Sequence, residues 1–368
     1  MSNCRAELEQ ALTERIFVLD GAMGTTIRGY GLDEEATRGE RFADTKEDLK
    51  NNGDILSITQ PDVIGDIHKR FLEAGSDIIE TNTFSGTTIA QSEFFVEDPR
   101  KSGMGRKDPE FFDSEVLQNP FLRDLAWEIN VESVKLCKKW ADAIGSDTGR
   151  KRYVAGAIGP LTVSLSVSPD ANDAGFRVVT FDQVRDDYKH QTRALIEGGV
   201  DILMVETIFD ALNAKAALVA IQEVFEEDGC EFPIIISAAV GRGGETLISG
   251  QNCIAMWHAM RHVNPLAIGL NCSLGPDLMR PFVESLSAAA TTFVSCYPNA
   301  GLPDPLSPTG FPYSPEDMEG YIDDFAKSGF VNLVGGCCGN TPEHVAAIAK
   351  AAERHAPRKL PQLGSEGK

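Results

Sequence analysis

Eight short apolar runs, rich in β-branched residues, recur along the chain, each followed by a polar or glycine turn and then an amphipathic stretch. They are IFVLD (16–20), DIIET (77–81), YVAGAIG (153–159), DILMVET (201–207), PIIISAA (233–239), LAIGLNC (266–272), TFVSCYP (292–298) and VNLVGGC (331–337). Near-continuous apolarity suits parallel strands that are buried on both faces. The stretches between them carry helix-start signals. Thr59 and Pro61 open one, with Gly75 at its end; Thr180 and Gln183 have capping-box spacing, with a stop at Gly198. Ser314–Pro315 and Thr341–Pro342 open two more. Eight strands alternating with helices predict a (β/α)8 TIM barrel, an α/β fold in a single domain over residues 1–356. The chain's 368 residues suit such a barrel with insertions. A doubly wound open sheet would want a phosphate loop after an early strand, and LDGAMGT is not G-x-G-x-x-G.

Two segments break the rhythm. Residues 94–121 are charged, contain three prolines, and read as an insertion at the surface. Residues 357–368, PRKLPQLGSEGK, read as a tail or linker. A net charge of −21 argues against nucleic acid and anionic membrane surfaces as partners. No run approaches the roughly 18 apolar residues of a membrane span, and the N-terminal residues carry charges where a signal peptide has its apolar core. Eight cysteines in this length do not make a secreted disulfide framework. The expectation is a cytoplasmic protein whose grouped cysteines are metal ligands.

In such barrels the chemistry sits at the C-terminal ends of the strands. Here those ends carry Asp20, Glu80, Glu206, Asn271, Cys272, Tyr297, Asn299, Cys337 and Cys338. Cys337 and Cys338 are adjacent among glycines. Cys272 ends the sixth run, and alternate strands fill one inward layer, so the three thiols are expected to meet. Three thiolates with an open fourth position suit catalytic Zn²⁺. The competing reading is that cysteine is often merely a small buried hydrophobe. Asp20 and Glu206 are isolated acids at a buried rim, costly unless paired with a cation, and a substrate ammonium would serve. For Glu80 a salt bridge or a bond to a neighbouring turn is the plainer expectation. His68, in DIHKRFLEAG, half-matches a D-x-H-x-x-G corrinoid signature, but position 71 is Phe and the segment reads as a helix. His344 follows the cysteine pair by one turn and could support it.

The strand-end motifs LDGAMGT, ITQPDVI, ETNTFS, VSPDANDAGFR, VETIFDALNAKAA, GLNCSLGP, CYPNAGLP and VGGCCGNTPEH, in this order over about residues 14–356, resemble the homocysteine-binding module of cobalamin-dependent methionine synthase. That family also includes betaine- and S-methylmethionine-dependent homocysteine methyltransferases. The resemblance implies a barrel with zinc on Cys272, Cys337 and Cys338. Glycine amides around the pair, and the helix starting at Thr341, would then donate to the sulfurs. The resemblance also implies the homocysteine ammonium at Asp20 and Glu206, and its carboxylate at amides near Met23 and Gly24. It further implies methyl transfer from methylcobalamin, ultimately from 5-methyltetrahydrofolate, carried by a cobalamin-binding partner module or chain. The alternatives are a self-contained enzyme using S-methylmethionine or betaine, and a non-catalytic zinc- or homocysteine-binding scaffold. Ala238 and Ala239 stand where the family usually has glycine and threonine, and Leu161 and Thr162 where threonine and asparagine are common.

Overall fold

In the computed structural model, which describes residues 4–101, 105–307 and 310–361, each of the eight runs contains a strand. These are β1 Phe17–Val18, β2 Ile78–Glu80, β3 Tyr153–Ile158, β4 Ile202–Ile208, β5 Ile234–Ala238, β6 Ala267–Asn271, β7 Phe293–Tyr297 and β8 Leu333–Val334. All pair in parallel in the order β1-β8-β7-β6-β5-β4-β3-β2. A single bridge between Leu19 and Ile78 closes the ring, so the sheet is a nearly closed (β/α)8 TIM barrel.

The apolar runs are explained by burial on both faces. Phe17, Leu19, Ile78, Tyr153, Ala155, Ile202, Met204, Ile235, Ala267, Phe293 and Leu333 fill the interior of the ring. The intervening Val18, Ile79, Val154, Leu203, Ile236, Ile268 and Val294 pack outward under the helices. Alternation of side chains along a strand thus yields no polar face to interrupt the run. β1 and β8 are two residues long, shorter than their runs. Past β8 the chain must pass close to its neighbours. A Cβ on Gly335 would lie 2.7 Å from that of Leu19, and one on Gly336 would lie 2.3 Å from Cγ of Asn340. Glycine therefore allows the turn that carries the cysteine pair to fold over the barrel mouth.

Outside the ring the helix signals act as read except at Thr59, which ends the short helix Leu56–Thr59 and gives its hydroxyl to the Thr37 carbonyl at 2.8 Å. The side chain of Gln60 is not used as a cap, but Pro61 opens the helix Pro61–Glu73. Thr180 and Gln183 close a capping box on Phe181–Gly198, which ends at Gly199 in the left-handed conformation. Ser314 caps Pro315–Lys327. The helix Cys4–Glu14 also serves the barrel itself. Its Cys4, Leu8 and Leu12 join the interior cluster and stopper the ring at its N-terminal face.

Two expectations need correction. The segment 94–121 is not simply surface: Phe112 and Val116, on the π-helical turn Phe112–Leu117, are fully buried in the core, which anchors it. Residues 102–104 lie outside the described residues. The stretch from 357 is not a free tail at its start. Arg358 is buried, and its guanidinium donates to the carbonyls of Ser287 (2.7 Å), Ala290 (2.6 Å) and Thr292 (2.9 Å). A polar, proline-bearing sequence suggested a linker, whereas one arginine satisfies the open carbonyl ends of a helix and a loop. Residues 362–368 lie outside the described residues. Among the described residues, no helix is long and apolar enough to cross a membrane.

Candidate active site

A cavity of about 350 Å³ opens at the C-terminal ends of the strands. Asp20, Met23 and Gly24, Glu80, Glu206, Cys272, Tyr297, Cys337 and Cys338 all line it. Every site residue singled out for metal or substrate is therefore brought to one wall or another of a single space. Glu80, for which a structural bond was the plainer expectation, joins them.

The sulfurs of Cys272, Cys337 and Cys338 lie within 4.8 Å of one another, with Cys272 and Cys338 3.8 Å apart. All three are free thiols. The turn that holds the pair is tied on every side. Cys337 N–H donates to the Pro298 carbonyl (2.9 Å) and Cys338 N–H to Asn299 Oδ1 (3.0 Å). Gly336 N–H donates to the Asp20 carbonyl (3.2 Å) and Gly339 N–H to Thr25 Oγ1 (3.0 Å). Asn340 Nδ2 donates to the carbonyls of Pro298 and Cys337, both at 3.0 Å. These bonds correct the expectation that the glycine amides and the following helix start serve the sulfurs: Gly336 and Gly339 spend their N–H groups on oxygen. His344 is also taken. Its Nδ1 accepts from Thr341 N–H (3.2 Å) and its Nε2 bonds the Tyr313 carbonyl (2.9 Å), so it caps the helix Pro342–Ala352.

Cys272 has φ of 57° and Ser273 of 55°, a left-handed pair in non-glycine residues that turns the chain sharply as it leaves β6. Thr207, next to Glu206, has φ of 53°. A β-branched residue there is a genuine outlier. No residue preference announces either turn.

The electrostatics are lopsided. Cys338 is drawn down to about 3 because the thiols of Cys272 and Cys337 both donate to it. Cys337 is pushed well above the usual thiol range by the hydrogen bonds it gives to Cys272 and Cys338, and then by burial. Cys272 is pushed up to about 12: the hydrogen bond from Cys337 lowers it, but its bond to Cys338 and burial outweigh that. One thiol of the three ionises easily, and the others resist a second and third charge in the same space. Three soft donors that repel one another as anions form a fitting set for a thiophilic cation.

The acids form a second group. Asp20 is held well above the usual carboxylate range by burial and by the nearby Glu206, against the Glu80 N–H that donates to its Oδ2 (3.0 Å). Burial and Asp20 raise Glu80 to about 8. Burial and Glu80 raise Glu206, and the two carboxyls share a hydrogen bond. Among the described residues no lysine or arginine pairs with any of the three. A fourth acid, Asp54, also lines the cavity; burial raises it to about 7, against the Ser85 N–H that donates to it (2.7 Å). The acid-lined wall of the cavity favours a cation, and Arg28, which also lines the cavity and helps to lower Cys338, favours an anion elsewhere in it, as do any free backbone donors that point in. Met23 and Gly24 open the helix Met23–Gly29, whose first-turn N–H groups have no intrahelical acceptor.

His68 stays out of the site. It is buried on the helix Pro61–Glu73 with its Nε2 3.2 Å from the Cys137 sulfur, and burial lowers it to about 4.

A family model described as homocysteine S-methyltransferase matches residues 17–352. Among solved structures, the homocysteine methyltransferase MmuM from Escherichia coli is similar in three forms. The metallated form has a TM-score of 0.64 at 17% identity, covering 95% of this chain and 99% of that one. The oxidized form has a TM-score of 0.65 at 18% identity, with the same coverage. The apo form has 0.60 at 17% identity, covering 92% and 96%. At these identities the likeness bears on the fold.

Proposed function

Because the chain belongs to the homocysteine S-methyltransferase family, we propose that it methylates the sulfur of homocysteine to give methionine, at a zinc site made by Cys272, Cys337 and Cys338. The observation that carries this reading is the meeting of three thiols and three cation-seeking acids in one cavity of about 350 Å³. The thiols would hold Zn²⁺ with a position left for a further ligand. A zinc ion there supplies the positive charge that keeps a substrate thiol ionised at neutral pH, where a free thiol near pKa 8.5 is mostly protonated.

The chain's own groups do the rest. Asp20 and Glu206, with Glu80 beside them, take the substrate ammonium. When it arrives the acids ionise, because a cation within hydrogen-bond reach restores what burial withheld. The first-turn amides at Met23 and Gly24 take the carboxylate. Fixed at both ends, the substrate presents its sulfur at the thiol cluster, and an S–CH₃ bond forms as the donor's bond to that carbon breaks. The donor keeps the bonding electron pair.

Two donors remain in play. The strand-end motifs support methylcobalamin on a partner module or chain, methylated in turn from 5-methyltetrahydrofolate. Asp54 supports a second reading. It is one buried acid more than a single ammonium needs, and the onium centre of a small donor, the sulfonium of S-methylmethionine or the quaternary ammonium of betaine, would answer it. A donor panel on zinc-loaded protein with homocysteine decides. Methionine formed with methylcobalamin, while betaine and S-methylmethionine stay inert, is the expected result. Turnover with S-methylmethionine alone overturns it in favour of the second reading. No methionine with any donor, despite bound zinc and homocysteine, would leave only a binding scaffold.

A further inference from the structure

Glu206 lies on β4 and Cys272 just past β6, so nothing local fixes the distance between them. One side chain does so through space. Asn271 is fully buried, and it sits one residue before Cys272. Its Nδ2 donates to Thr207 Oγ1 at 2.7 Å. Its Oδ1 accepts from Thr207 N–H at 3.1 Å and from Ser237 Oγ, on the intervening strand β5, at 2.7 Å. The orientation of the amide is fixed by its partners: Thr207 N–H can only donate, so the oxygen must face it, and the NH₂ group then faces the threonine hydroxyl.

Thr207 is the residue after Glu206. Its hydroxyl, having accepted from Asn271, has its proton free for Glu206 Oε2, 3.4 Å away. A directional relay therefore runs from the Asn271 amide through the Thr207 hydroxyl to the carboxylate. Thr207 also holds a left-handed φ of 53°. For a β-branched residue that conformation is strained and persists only where the surroundings over-determine it. The two hydrogen bonds with Asn271, one given and one accepted, are those surroundings. Cys272 leaves the other side of Asn271 through its own left-handed turn, at φ of 57°. Both the acid and the thiol hang from strained backbone that meets at one amide.

We propose that Asn271 is a positioning residue: with Thr207 it sets the Glu206 carboxylate against the Cys272 thiol, and so makes the site read the amino group of a thiol substrate. The inference rests on the homocysteine reading above and deepens it. Asn271→Asp is isosteric and, when ionised, can only accept. The Thr207 hydroxyl would then turn its proton to the new carboxylate and leave Glu206. Thr207→Val keeps the shape and loses the hydroxyl; Thr207→Ser keeps the hydroxyl and relieves the branch.

The experiment is calorimetric titration of zinc-loaded wild type and these variants with homocysteine and with 4-mercaptobutanoate, which is homocysteine without its amino group. The titration separates two effects. A purely structural role would lower the fraction of competent protein, seen in the stoichiometry, and leave Kd alone. We expect Asn271→Asp and Thr207→Val to bind homocysteine about ten- to a hundred-fold more weakly, the scale of one hydrogen bond to a charged group. They should bind 4-mercaptobutanoate as wild type does and keep one zinc. Thr207→Ser should stay close to wild type. If wild type prefers homocysteine but the variants keep that preference, or if both ligands weaken together, the positioning role is wrong. If wild type itself binds homocysteine no better than 4-mercaptobutanoate, the ammonium assignment to Asp20 and Glu206 falls, and this inference falls with it.

Discussion

The two ends of the barrel treat buried charge in opposite ways. At the N-terminal end, Asp77 precedes β2 and is fully satisfied. Arg15 grips it at 2.7 and 2.8 Å, Arg150 at 2.6 Å and Arg152 at 3.5 Å, and Val18 N–H donates to it at 3.0 Å. Asp201, before β4, takes Lys138 at 3.1 Å and Val154 N–H at 2.9 Å. At the C-terminal end Asp20, Glu80 and Glu206 face a cavity with no such partner among the described residues, beside three thiols that resist sharing charge. Of the four described non-glycine residues with left-handed backbone, Thr207, Cys272 and Ser273 are at this end too, and Asn264, before β6, is at the other. A charge paired within the chain stabilises the chain; a charge left without a partner at comparable burial is stabilised only by what it binds. The same residue types thus mean fold at one end and ligand at the other.

The sharpest way to break the comparison is to remove a thiol. Cys272→Ser should lose the zinc equivalent, measured by atomic absorption, and lower methionine formation by more than about a hundred-fold, since even supporting groups around a metal are worth 10–100-fold. Melting of the metal-free protein should change little, because the thiol belongs to the ligand-seeking end. A full equivalent of zinc retained in this variant would make the ligand assignment wrong.

The opposite outcome is expected at the other end. Asp77→Ala leaves the buried Arg152 without its counter-charge, while Arg15 and Arg150 are exposed enough for water to screen them, so the loss should be about 1–3 kcal/mol. Urea unfolding should show that loss. The protein that remains folded should bind homocysteine with unchanged Kd. A weakened Kd would mean that the two ends are coupled and that the division drawn between them is too clean.

How much of this could be read from the sequence follows the same division. The strands were legible because both of their faces are buried, so Ile202 through Val205 show no polar interruption. Cys272, Cys337 and Cys338 were legible because strand ends in a barrel converge, whatever their separation in the chain. Glu80 was not: a salt bridge would explain a single acid at a strand end, and only the fold shows that its neighbours are Asp20 and Glu206 rather than an arginine. Thr207 was hidden for a different reason. Threonine is among the residues least expected at positive φ, so no propensity points to it, and the Asn271 bonds that hold it cross three strands. Arg358 and His344 misled through local context. The first lies in a linker-like stretch but closes carbonyls of a distant helix end, and the second lies near the cysteines but is spent on its own helix.

The smallest expected effect tests the acids without any ligand. Glu80 sits near 8 instead of its usual 4.5, raised by burial and by Asp20. Between those values the folded protein binds more protons than the unfolded chain, so stability must fall as pH rises. The contribution is fully present below about pH 4.5 and is lost as pH climbs through 8. In metal-free protein this should appear as a decline in Tm across that window. Glu80→Gln removes one of the raised acids and should make the decline shallower than in wild type, with Asp20, Glu206 and Asp54 supplying the remainder, while leaving Tm at low pH nearly unchanged. Homocysteine should oppose it in wild type, because the ammonium favours the ionised acids that the empty cavity disfavours. If Glu80→Gln follows the wild-type curve, the acid is already paired within the fold, and the C-terminal end has one resident charge that behaves like Asp77.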